Sequence, residues 1–233
     1  MSDNLPAVQN GGVPALAGTP ALGDIDANDI KLQKLYRGEY QADLVQEGTV
    51  PVGSIYLATS PDDPEPQVVA KDATAEKEKG VLVHVLRLEK GKSGRIDGEF
   101  RTFPFAAEDN PRTQDNGKAL DTTYAFTVAI PEIDPEMPVK VHMSKTSSGC
   151  AQRIITRLLK HSRTGATHEV AFRLKLKKRE AESNGSKYRW FVWTEALEDA
   201  KPANVEVAAN LLEIVASQPA VEATPTTADA PRI

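Results

Sequence analysis

The alternation of apolar and polar positions predicts short strands before it predicts any helix. Residues 30–36 and 54–58 are brief candidates, the second approached through Pro51 and Gly53, and residues 67–70 are a weaker one. Residues 81–88 (VLVHVLRL) are apolar at both parities, the pattern of a central strand covered on both sides. Residues 123–130 alternate cleanly, with Tyr124, Phe126, Val128 and Ile130 on one face and Thr123, Ala125, Thr127 and Ala129 on the other. Pro131 and Pro135 frame a tight connection to a run in which Val139, Val141 and Met143 alternate with Lys140 and His142, so a hairpin is expected. Between 89 and 122 the chain is polar around the island FRTFPF, which predicts a long loop or insertion.

The period then lengthens. Ala151, Ile154, Ile155, Leu158 and Leu159 recur at helical spacing, with Ser147 or Ser148 available as N-cap, Gly165 past the end, and Arg153, Arg157 and Lys160 on the opposite face. Val170, Phe172, Leu174 and Leu176 next alternate with Ala171, Arg173, Lys175 and Lys177. The turn signal Ser183-Asn184-Gly185-Ser186 leads into a partner strand over 187–194. A last amphipathic helix spans 204–216, with Ala208, Leu211, Leu212 and Val215 as its stripe. From residue 81 the order is strand, loop, strand, strand, helix, strand, strand, helix. That order predicts a mainly β, OB-fold-like barrel with a helix between its third and fourth strands and a C-terminal helix. A mixed sandwich shares it. Residues 24–216 form the expected single domain, between disordered segments at 1–23 and 217–233 whose Gly, Ala, Pro and Thr carry no period.

Composition narrows the class. The chain has 233 residues, 40% hydrophobic and 26% charged, with no run of about 18 apolar residues that could cross a membrane. No basic stretch followed by an apolar one opens it, and Cys150 stands alone, so a cytoplasmic protein without disulfides is expected.

Charge changes the picture more. The chain totals −5, yet residues 141–193 hold twelve Lys and Arg against three acids, leaving −14 on the remainder. Such a split marks either a basic binding surface or a solvated helix and hairpin. Binding a single strand needs cations to displace phosphate counterions and flat rings on which bases stack. The predicted hairpin supplies both. Its cations are Arg173, Lys175, Lys177, Lys178, Arg179, Lys187 and Arg189, joined by Arg153 and Arg157 on the helix, and its rings include Tyr188, Trp190 and Trp193. Strand parity sends Tyr188 and Trp190 one way and Phe191 and Trp193 the other. One set must face the core, and the other meets solvent or lies under an end helix. The cations Arg87, Lys90, Lys92, Arg95 and Arg101 lie in or beside the 89–122 segment, so both loops that flank an OB-fold binding face carry positive charge.

Catalytic signatures fail on inspection. Gly91-Lys92-Ser93 lacks the earlier glycine of a phosphate-binding loop, since position 86 is Leu86. Arg95-Ile96-Asp97-Gly98 has arginine where a nucleotidyl-transfer motif needs its lysine nucleophile, and reads as a turn. Lys145 to Gly149 could seat a phosphate on a helix N-terminus, or could simply cap it. His84, His142, His161 and His168 are scattered without metal spacing, and Cys150 has no nucleophile context. No enzyme activity, metal or cofactor is expected.

The runs DIKLQKLYRGEYQADLVQEGTVPVGSIY and PVKVHMSKTSSGCAQRIITRLL resemble a group of phage and prophage proteins related to OB-fold single-stranded DNA-binding proteins, a likeness covering about residues 24–215. The resemblance implies a sequence-tolerant binder of single-stranded DNA, or RNA, in phage DNA replication or recombination. It would act in the bacterial host cytoplasm with phage or host replication proteins as partners, and a homo-oligomer is compatible with it. Only Glu222 and Asp229 are acidic in the last stretch, which departs from the acidic C-terminal peptide of many such binders. Two alternatives belong to other classes: a phage structural or accessory protein docking on other subunits, and an inhibitor of a host nucleic-acid enzyme acting as a DNA mimic.

Overall fold

A computed structural model describes residues 32–105, 110–183 and 185–217. Of the segments expected to be disordered, 1–23 and 217–233, all but Ser217, the last residue of a helix, lie outside these residues. Among the described residues nine strands form one curled sheet, with order β3-β2-β1-β7-β6-β4-β8-β9 and β5 paired to β4. They are β1 (Lys34–Arg37), β2 (Ile55–Ala58), β3 (Gln67–Ala70), β4 (Val81–Ile96), β5 (Glu99–Pro104), β6 (Asp121–Ile130), β7 (Asp134–Ser144), β8 (Ala171–Ser183) and β9 (Ser186–Glu198). Helices α1 (Asp43–Gln46), α2 (Ser148–His161) and α3 (Pro202–Ser217) complete the described fold.

The alternation read from sequence sets the layers. On the inner face Val81, Val83 and Val85 of β4, Phe126 and Val128 of β6, Val139 and Val141 of β7, and Phe172, Leu174, Phe191 and Trp193 of β8 and β9 pack with Ala151, Ile154 and Leu158 of α2 into the main core. On the outer face Leu86 and Ala129 pack beneath Ala208, Leu211 and Val215 of α3. The strand at 81–88 is apolar at both parities because a helix-bearing layer lies on each side of it.

Three expectations are corrected. First, the segment from 89 is not a long loop: β4 continues to Ile96 and turns through Asp97 and Gly98, at φ 55° and 80°, into β5. Positive φ at both positions is a tight hairpin turn. The Asp115 carboxylate fixes it by accepting from the Asp97 and Gly98 N–H groups at 2.9 and 2.8 Å. The ladder was hidden because Gly91, Lys92, Ser93, Gly94 and Arg95 of β4 carry no apolar alternation. Second, no helix stands between the third and fourth strands; β3 runs to β4 without one, and α2 instead joins β7 to β8. The count shifts because β1, β2 and β3 belong to the same sheet and precede the strand taken as first.

Third, the barrel does not close by strand pairing. Among the described residues no ladder joins β7 to β9; the far edge of β7 pairs in parallel with β1, through Lys34 with Lys140 and Leu35 with Val141. Side chains fill the seam instead. Arg37 Nη1 donates to the Phe191 carbonyl at 2.7 Å and to Ser147 Oγ at 3.1 Å. The Phe191 N–H donates to Glu39 Oε2 at 3.0 Å, and the Trp193 N–H to Ser147 Oγ at 3.2 Å. Backbone groups that a neighbouring strand would satisfy are satisfied by these three residues.

Candidate nucleic-acid interface

The β8–β9 hairpin is in unbroken register from Ala171 with Glu198 to Ser183 with Ser186. Its root lies in the core, and from Lys177 to Arg189 its described residues are exposed, so the tip stands clear of the body. Parity divides the tip. Lys177 lies opposite Val192, Arg179 opposite Trp190 and Ala181 opposite Tyr188, all on the outer face. Lys178, Glu180, Glu182, Lys187 and Arg189 lie on the inner one.

The two tip faces differ in charge balance. On the inner face Glu180 Oε1 accepts from Lys178 Nζ at 2.8 Å and Arg189 Nε at 3.2 Å, so those cations are largely neutralised by their own hairpin. Lys178 holds the Glu180 carboxyl below its ordinary range by hydrogen bonding and charge. On the outer face, among the described residues, Lys177 and Arg179 pair with no acid. Tyr188 is 44% exposed beside them. Trp190 is half-buried, and its indole N–H is buried with no hydrogen-bond partner among the described residues. Directly opposed residues of an antiparallel pair stand about 4.5–5.5 Å apart at Cβ. Unpaired cations and aromatic rings are thereby interleaved on one surface.

Other predicted residues have structural positions. Trp193 is 3% exposed in the main core and cannot stack on a base. Arg173, 8% exposed, donates to Glu198 through Nε at 2.6 Å and also through Nη2, and to Glu132 through Nη1 at 2.7 Å; these bonds keep its guanidinium charged. Arg153 forms a bidentate pair with Glu195, at 2.6 and 2.8 Å, over a carboxylate only 2% exposed. Lys175 reaches the Glu76 carbonyl at 3.2 Å. Arg157 and Lys187 keep no acidic partner among the described residues. The buried apolar contacts of α3 are with Leu86 of β4 and Ala129 of β6, and Trp190 is not among them. That packing puts α3 over the outer face of β4 and β6.

The helix start at Lys145 to Gly149 is occupied by structure. Lys145 adopts φ 46° and pairs with Asp121 at 3.5 Å, while Ser147 is buried and bound to the seam. Cys150 is buried, and burial together with Glu195 pushes its thiol up, away from nucleophile chemistry. His84 is fully buried with Nδ1 at 2.8 Å from the His168 carbonyl, and burial lowers its pKa. Among the described residues no group of three or more His, Cys, Asp or Glu is placed to hold a metal, and no helix is long and apolar enough to cross a membrane.

Sequence reasoning noted the cations near 89–122 but missed one residue set. Lys90 Nζ sits 3.7 Å from the centroid of the Phe105 ring and Lys92 Nζ 5.6 Å from it. The signal was present as Lys90-Gly91-Lys92 followed by FRTFPF, and became visible only once the two runs paired. Comparisons with protein-family models, with curated proteins and with solved structures find no match to this chain.

Proposed function

We propose that this protein binds single-stranded nucleic acid with little sequence preference and without catalysis, as a single-stranded DNA-binding protein of phage replication or recombination. The observation that carries the reading is the outer face of the β8–β9 tip, where Lys177 and Arg179 lie beside Tyr188 and Trp190 and, among the described residues, pair with no acid. Cations of this kind release phosphate counterions, and each stacked base contributes about 1–3 kcal/mol. Neither element reads base identity, so the binding is sequence-tolerant.

An OB-like path supports the same reading. Taken alone, β4, β6, β7, β8 and β9 pair first with second, second with third, first with fourth and fourth with fifth, which is the order of an OB barrel opened at its last seam. The ligand surface moves from the face under α3 to the projecting hairpin. The place in phage metabolism rests on the resemblance of the two segments quoted above. A second reading, docking on other protein subunits, is favoured by Leu159, 64% exposed beside an apolar cavity of about 190 Å³ between α2 and β4.

The test is anisotropy of a labelled 30-mer of oligo-dT across salt concentrations. Wild type is expected to bind with a steep negative dependence on log salt, accompanied by tryptophan quenching. Lys177→Glu with Arg179→Glu is expected to weaken binding at least tenfold at low salt and to flatten the slope. An unchanged slope in the double variant rejects this surface.

A further inference from the structure

We infer that Lys90, Lys92 and Phe105 form a second contact for single-stranded nucleic acid, at the opposite end of the sheet from the β8–β9 tip and on its opposite face. The inference rests on the proposed function above and adds where a longer strand continues.

The ladder brings the residues together. Lys90 lies opposite Tyr124 and Lys92 opposite Thr122 on β6, while Lys92 lies opposite Phe103 on β5. These positions share the inner parity of Phe126; Tyr124 is the last of them in the core, and Lys90 beside it is exposed. Phe105 is 40% exposed, and two ammonium groups stand over its ring. Neither lysine pairs with an acid among the described residues. A ring held under two cations that lack anions is chemically matched to a nucleotide, whose base stacks and whose phosphate meets the ammonium groups. Leu88, two residues before Lys90 on the same face and 38% exposed, continues the surface into the apolar cavity against Leu159.

The two contacts are far apart by construction. Strands β4 and β8 pair only from Val81 with Leu174 to His84 with Ala171. From that short ladder Lys90 lies along β4 in one direction and Arg179 along β8 in the other. At about 3.3 Å per residue the path between them is about 45 Å. At a stacked spacing of about 3.4 Å per nucleotide that is about 13 nucleotides. A short strand occupies one contact and a long strand occupies both, with an avidity gain.

The experiment compares dT8 and dT30 on three proteins: wild type, Lys90→Ala/Lys92→Ala/Phe105→Ala, and Lys177→Glu/Arg179→Glu. Expected for the first variant is a loss of tenfold or more on dT30 and less than threefold on dT8. Wild-type affinity of that variant for dT30 overturns the inference, as does an equal loss on both lengths, which would make this the sole site. If dT30 binding falls only in the first variant, the β8–β9 tip is rejected and with it the two-contact path, although Lys90, Lys92 and Phe105 still bind nucleic acid. If wild type binds neither oligonucleotide at low salt, both readings fall. Should the triple variant not fold, Lys90→Ala/Lys92→Ala carries the same test, with the salt slope on dT30 expected to drop by about 1–2.

Discussion

The root and the tip of the β8–β9 hairpin are built from the same residue types and have opposite fates. At the root Arg173 is enclosed by Glu132 and Glu198, and Trp193 is part of the core. A few residues further out, Arg179 and Trp190 lie opposite one another on an exposed ladder with no acid between them. Pairing with the protein's own carboxylates, not residue type, decides which arginine is structural and which is available to a ligand. A count of cations along the sequence therefore overstates the interface, because Arg153, Arg173, Lys178 and Arg189 are held by carboxylates of the protein itself.

Substitutions can break this comparison. Trp193→Ala should have the largest effect, about 3–5 kcal/mol of lost stability by urea denaturation, since it opens the core at the root. Acidification comes next. Burial, with Lys34 and Lys140, lowers His142 from 6.5 to about 4, and burial lowers His84 in the same direction. The unfolded chain then takes up the proton first, so stability is lost as pH falls from about 6.5 towards 4 and is level below it. For His142 the interval corresponds to about 3 kcal/mol, read from urea midpoints across that range. Arg173→Ala should cost about 2–3 kcal/mol, because it strands two carboxylates, while the affinity of the folded fraction stays at wild type.

The tip should respond in the opposite way. Trp190→Ala is expected to lose about 1–3 kcal/mol of oligo-dT affinity and most of the tryptophan quenching, with a small change in the urea midpoint. Lys178→Ala should be the quietest, with neither melting nor affinity measurably altered, because its charge is met by Glu180 and faces away from the rings. A strong loss of affinity in Lys178→Ala would assign the ligand to the inner face of the tip.

The strands around 123–130, 139–143 and 171–194 were legible because burial on one face leaves a period of two in the sequence, and α2 and α3 were legible from their apolar stripes. The β4–β5 ladder was not, since its buried positions on β4 are Ser93 and Gly94, which leave no apolar period of two. Whether Tyr188 and Trp190 or Phe191 and Trp193 faced the core could not be read either. Parity separates the pairs, and only the packing of Tyr40 on Phe191, with ring centroids 5.3 Å apart, and of Trp193 against α2 and its neighbours chooses between them. The seam was the least legible feature, because Arg37, Glu39 and Ser147 are brought to β9 from distant parts of the chain.

That seam also bears on how the molecule behaves among its own copies. A half-barrel leaves β9 as a border strand, and a bare border is a template for pairing with another chain. Here the Phe191 and Trp193 amides are already engaged, by the Glu39 carboxylate and the Ser147 hydroxyl, neither of which propagates a ladder. Glu39→Ala removes one of those stoppers without touching the tip, and its signature is concentration-dependent aggregation on mild warming, measured by light scattering, with oligonucleotide affinity intact. In solubility terms Arg37, Glu39 and Ser147 act as a selvedge, finishing an edge that the fold does not sew shut.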